Sequence, residues 1–88
     1  MQFIVYALYS LAHDRIYIGQ TSDLVNRFTQ HNNGESKSTK AYLPWKLMYS
    51  EIIPTRAEAM KHEKQLKSQK GREFIRNLIK DEANKPTE

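Results

Sequence analysis

Two short runs of β-forming residues, separated by four others and followed at once by a helix signal, constrain the fold of this chain most. FIVYALYS (residues 3–10) and RIYIG (residues 15–19) are dense in β-branched and aromatic residues, and LAHD lies between them. They pair as an antiparallel hairpin. With residues 11–14 as the loop, Ser10 faces Arg15, Leu8 faces Tyr17 and Tyr6 faces Gly19. Tyr6 and Tyr17 then project from one face as diagonal neighbours, whereas a slip of one residue would part them. Two core tyrosines with hydrogen-bonded hydroxyls fit the same pattern. Gly19, opposite Tyr6, leaves space over the ring for a ligand or a backbone. Thr21 or Ser22 then caps a helix with Asp23 in its first turn, where a negative charge suits the macrodipole. Leu24 and Phe28 form its buried stripe with Val25 beside it, and His31-Asn32-Asn33-Gly34 ends it.

The rest of the chain supplies what a lone hairpin and helix lack. ESKSTKAYL (35–43) is a polar, basic loop. PWKLMYSEII (44–53) is a third strand in which Trp45, Leu47 and Tyr49 alternate with Lys46, Met48 and Ser50. Thr55 and Glu58 make a capping box for a second helix running to about Gln69. Gly71 separates it from a third helix, whose apolar face is Phe74, Ile75, Leu78 and Ile79. The expected fold is α+β, order β-β-α-β-α-α, a small three-stranded antiparallel sheet flanked by helices. Residues 1–82 read as a single domain and 83–88 as a frayed C-terminal tail.

An 88-residue chain has one modest core, so residues that break its apolar pattern are informative. The absence of cysteine excludes disulfides and thiolate-bound metal. No basic residue precedes the N-terminal apolar run, no small-residue cleavage site follows it, and it is too short to span a bilayer. It reads as a strand of a cytoplasmic protein with no membrane partner. The net charge of +4 is concentrated, since residues 61–80 carry seven of the 14 Lys and Arg. That stretch suits a polyanion, or simply a solvated helix face.

In the second helix Ala59, Met60 and Leu66 share a face at about 100° per residue, and Glu63 falls within their arc. A carboxylate there is costly unless paired, hydrogen-bonded or bound to a cation; at the edge of the stripe it reaches water or an Arg. Arg27 and His31, at i and i+4, share a face of the first helix, as many surface pairs do.

Taken together, IVYALYS, RIYIGQTSDLVNRFTQH, TKAYLPWKLMYSE and RAEAMKHEKQLKS resemble a GIY-YIG nuclease domain over nearly the whole chain. The likeness is to short, stand-alone bacterial members, related to the catalytic domain of the excision-repair incision subunit. Tyr6 matches the first motif's tyrosine, Tyr17-Ile18-Gly19 is the second motif, Arg27 and His31 match the helix positions, and Glu63 matches the metal-binding glutamate. Ile4 replaces the first motif's glycine, and Gln20 stands where the incision subunit has a lysine. A C-terminal asparagine important in some members corresponds to Asn77 or Asn84.

The resemblance implies a metal-dependent endonuclease with one Mg²⁺ or Mn²⁺ on Glu63, a DNA substrate (branched or single-stranded) and a place in DNA repair. A phenol with the ordinary pKa near 10 is a weak base at neutral pH. As general base, Tyr17 therefore needs a nearby cation, or His31 to receive its proton. Tyr6 would position the water or the phosphate, and Arg27 would hold phosphate oxygens. Lys37, Lys40, Lys46, Lys67, Lys70 and Arg72 would hold the nucleic-acid backbone without reading bases. The alternatives are a catalytically weak or inactive nucleic-acid-binding module of the same fold and a basic protein-interaction domain.

Overall fold

The hairpin closes in the expected register. β1 (Phe3–Ser10) and β2 (Arg15–Thr21) pair antiparallel, with Tyr6 opposite Gly19, Leu8 opposite Tyr17 and Ser10 opposite Arg15. This arrangement comes from a computed structural model that describes residues 2–84. β3 (Lys46–Ile53) pairs antiparallel with the other side of β1, so the sheet runs β2-β1-β3. A bulge shifts this second ladder: Tyr49 faces Ala7, but Leu47 faces Leu8. The expected alternation along β3 therefore fails, because the extra residue turns Leu47 and Tyr49 to opposite faces. Trp45 packs with Tyr6 and Leu8 on one face, and Tyr49 packs against Val5 and Ala7 on the other.

Each face of the sheet has its own apolar cluster. α1 (Leu24–Asn32) lays Leu24 and Phe28 over Tyr6, Leu8 and Trp45. On the opposite face, α2 (Arg56–Lys67) and α3 (Gln69–Ala83) bury Ala59, Leu66 and Ile75 against Val5, Ala7, Ile18 and Ile53. Fully burying a side chain such as Leu66 or Ile75 contributes about 1.5–3 kcal/mol, so the two layers hold the thin sheet between them. The fold is α+β, with element order β-β-α-β-α-α.

Local signals were right in kind and sometimes displaced. Asp23, not Thr21 or Ser22, caps α1, its carboxylate accepting from Asn26 N–H at 3.2 Å. Thr21 is still in β2, where its hydroxyl oxygen accepts from Asp23 N–H. Val25, Met60 and Phe74 flank their stripes rather than joining them and are 80%, 55% and 45% exposed. Thr55 caps α2 as expected, but the break between α2 and α3 is at Ser68. The Ser68 hydroxyl donates to Gln65 C=O and accepts from Gly71 N–H. Gly71 lies in the first turn of α3, where a Cβ would overlap the Leu66 backbone. Within the loop after α1, residues Lys40–Tyr42 form a short 3₁₀ turn. Ala83 closes α3 and Asn84 caps it; the remainder of the expected tail, residues 85–88, lies outside the described residues.

Candidate active site

Tyr6 stands on the central strand beneath α1 and is 1% exposed. Its hydroxyl is hydrogen-bonded to His31 Nε2 at 3.0 Å, and His31 Nδ1 meets Thr39 Oγ1 at 2.9 Å. His31 and Thr39 are both fully buried. The loop that delivers Thr39 is fastened twice. Trp45 Nε1–H donates to Thr39 C=O at 2.9 Å. The Asn32 side chain accepts from Trp45 N–H at 2.7 Å and donates to Trp45 C=O at 3.0 Å. A chain of satisfied buried polar groups thus fixes the Tyr6 ring, and leaving any one unpaired would cost about 1–3 kcal/mol.

Gly19 makes room for that ring. A Cβ at Gly19 would lie 2.7 Å from Tyr6 Oη and 3.0 Å from Tyr17 Cε2. The expected clearance for a ligand is therefore filled by the protein's own phenols, which the diagonal pairing brings to this spot. The Tyr6 and Tyr17 ring centres are 6.3 Å apart, and Tyr17 lies 5.0 Å from the His31 ring. Tyr17 is only half-buried, so it is the phenol that meets solvent.

Arg27, one turn before His31, donates to Gln30 Oε1 at 3.2 Å and faces both phenol oxygens. Desolvation works against its charge, but hydrogen bonding toward Tyr6 and Tyr17 outweighs that and holds its pKa above the ordinary value. Burial, with Tyr17 beside it, pushes the Tyr6 phenol up to about 12 against the pull of Arg27. Burial and then the Arg27 charge lower the His31 pKa. At neutral pH Tyr6 is a protonated phenol and His31 a neutral imidazole.

Glu63 comes from α2, on the other side of the sheet. It lines a cleft of about 300 Å³ at the β2 edge together with Ile16, Tyr17, Ile18, Lys67 and Arg72. Its side chain is 22% exposed, Lys67 Nζ stands 3.9 Å from Oε2, and its charge reaches Tyr6. Two tyrosines, an arginine and a carboxylate from four elements thus converge at one edge of the sheet. Residues 2–77 match the model of the GIY-YIG catalytic domain family.

The chain belongs to the GIY-YIG family. It is 41% identical over 70 residues to UPF0213 protein SAG0778 of Streptococcus agalactiae, covering 78% of each chain. To UPF0213 protein SSP2268 of Staphylococcus saprophyticus it is 39% identical over 54 residues, 60% of this chain and 66% of the relative. The solution structure of UPF0213 protein BH0048 from Bacillus halodurans superposes with a TM-score of 0.54 at 30% identity, covering 89% of this chain and 85% of that one. The family implies a nuclease-type function and a nucleic-acid substrate.

Mapped onto this GIY-YIG domain, the expected backbone-holding cations divide. Lys67 and Arg72 line the cleft, whereas Lys37 and Lys40 are exposed on the loop after α1. Lys46 is held by Glu82 at 2.7 Å. Lys70 borders a separate groove with Tyr49, His62 and Phe74. Asn77 is exposed on α3, and Gln20 is half-buried on β2. Thr39, Trp45, Asn32 and Gln30 were missed as supports of the site. Their one signal was indirect: a buried histidine needs a partner for each ring nitrogen. Among the described residues no helix is long and apolar enough to cross a membrane.

Proposed function

We propose that this GIY-YIG domain is a metal-dependent endonuclease that hydrolyses DNA phosphodiester bonds in the cleft between Tyr17 and Glu63. The observation that carries the reading is the Glu63 carboxylate itself, half-buried in a cleft it shares with Lys67 and Arg72. On a surface built only to bind phosphate, a fixed negative charge there would repel the ligand; a cation between the two reverses the sign. Among the described residues no three His, Asp or Glu gather to hold a metal. One hard oxygen ligand completed by water suits Mg²⁺ or Mn²⁺. When bound, such an ion supplies charge neutralisation at the phosphate and at the leaving oxygen.

The chain's own residues supply the rest. Tyr17 faces the cleft; as the phenolate, which Arg27 stabilises, it takes a proton from the attacking water and becomes the neutral phenol as the hydroxide adds to phosphorus. The proton then passes to solvent at the open edge, because both nitrogens of His31 are engaged by Tyr6 and Thr39. His31 acts instead by positioning Tyr6, which stays protonated and buried and holds Tyr17 in place beside Arg27. Lys67 and Arg72 hold the substrate backbone.

Cleavage of single-stranded, duplex and branched DNA, and of RNA, in Mg²⁺, Mn²⁺ or EDTA tests the reading. Tyr17→Phe and Glu63→Gln are expected to lower metal-dependent nicking by about 10²–10⁴-fold without unfolding the protein. Nicking that survives both substitutions would sink it. Binding without cleavage under every condition would establish the binding-module alternative instead.

A further inference from the structure

Two residues before Tyr17 on β2, Arg15 lies on the same face of the sheet. Its guanidinium stacks on the Tyr42 ring, 4.8 Å from the centroid. Tyr42 is itself wedged edge-on against Trp45 at 6.2 Å and against His13 at 5.5 Å, and Trp45 lies 6.3 Å from Tyr17. Arg15 and the candidate base are therefore mounted on one aromatic wall.

Stacking occupies the flat face of a guanidinium and leaves its N–H fork pointing outward in the plane. In Arg15 that fork is unclaimed: it makes no hydrogen bond or ion pair with any described residue, and the residue is exposed. The nearest carboxylate in sequence, Asp14, is already taken by Arg76 and by the Tyr9 hydroxyl at 2.9 Å. An arginine held rigidly by its face and with its donors free is built to receive a planar or tetrahedral oxyanion.

We infer that Arg15, stacked on Tyr42, receives the backbone phosphate one nucleotide away from the bond held at Tyr17 and Glu63. The spacing supports this. Two residues of strand rise separate Arg15 from Tyr17 by about 6–7 Å, on the order of one step between neighbouring phosphates of an extended strand. The inference rests on the nuclease reading of the cleft and adds to it a second phosphate contact that sets the register of the strand.

Binding of a short fluorescein-labelled DNA to the full chain in EDTA, measured by anisotropy across a salt series, tests it. Arg15→Ala is expected to weaken binding on the order of tenfold. It should also flatten the slope of log K against log salt by about 0.7–0.9, the value of one phosphate contact. Arg15→Lys should recover the slope but not the full affinity, since it keeps the charge and loses the fork. A neutral methylphosphonate at the neighbouring position should erase the difference between the unsubstituted protein and Arg15→Ala without any change in the protein's fold. Unaltered affinity and slope in Arg15→Ala would overturn the inference and leave the nuclease reading intact. Failure of the unsubstituted protein to bind any nucleic acid, in EDTA and in Ca²⁺ alike, would overturn both.

Discussion

Gly19→Ala is the most exacting test of how this site is assembled. The backbone presents no obstacle, since Gly34 is the only described glycine in the left-handed region. Alanine at position 19 should even gain about 0.4–1 kcal/mol by restricting the unfolded chain. Against this, the new methyl would sit 2.7 Å from Tyr6 Oη and 2.8 Å from Tyr6 Cζ. Tyr6 cannot swing aside, because it is 1% exposed and its hydroxyl is bonded to buried His31. Overpacking of this kind costs about 1–3 kcal/mol, and parting Tyr6 from His31 adds roughly 1–3 kcal/mol. The net expectation is a loss of about 2–3 kcal/mol, which for a domain of this size lowers Tm by roughly 10–20 °C. Thermal and urea unfolding in the absence of nucleic acid measure it. In a Tyr6→Phe background the closest contact is gone and the hydrogen bond already lost, so Gly19→Ala should cost distinctly less, a coupling that the double-mutant cycle reads directly. A Gly19→Ala protein of unchanged stability that had lost only nucleic-acid binding would refute the reasoning and restore the glycine as clearance for a ligand.

Two further outcomes follow from buried polar groups. The Ser10 hydroxyl is fully buried without a hydrogen-bond partner among the described residues; Ser10→Ala should leave stability unchanged or raise it by about 1 kcal/mol, and a loss of that size in urea unfolding would show the hydroxyl to be satisfied. His31 has a folded-state pKa below its ordinary 6.5, so the unfolded chain binds its proton first as pH falls. The stability due to neutral His31 is complete above about pH 6.5 and is lost below it; His31→Gln should be less stable at neutral pH but show a flatter stability profile from pH 6.5 downward, and parallel profiles would refute the assignment.

What could be read in advance followed local rules. A four-residue loop between two alternating runs leaves one register that puts Tyr6 and Tyr17 together, and β1 and β2 adopt it. Glu63 stood out because burial of a carboxylate is costly wherever it happens. The missed features depend on partners distant in sequence. Nothing near Thr39 announces that His31, eight residues earlier, will be buried and need it. The β3 bulge exists only relative to β1. Ser68 rather than Gly71 ends α2, because α3 packs so closely on the Leu66 backbone that the glycine is needed within its first turn.

Among the described residues no strand pairs with the outer side of β2, and the cleft opens at that edge. An open strand edge admits a nucleic-acid strand without any part of the fold having to move, but it equally invites another strand of protein. Here Arg15 stands at one end of the edge and Lys67 and Arg72 beside it. A second copy approaching this edge would bring the same positive charges with it and be repelled, while a polyanion would be drawn in. On the proposed nuclease reading, the cations that would hold phosphate would also oppose self-association through this edge.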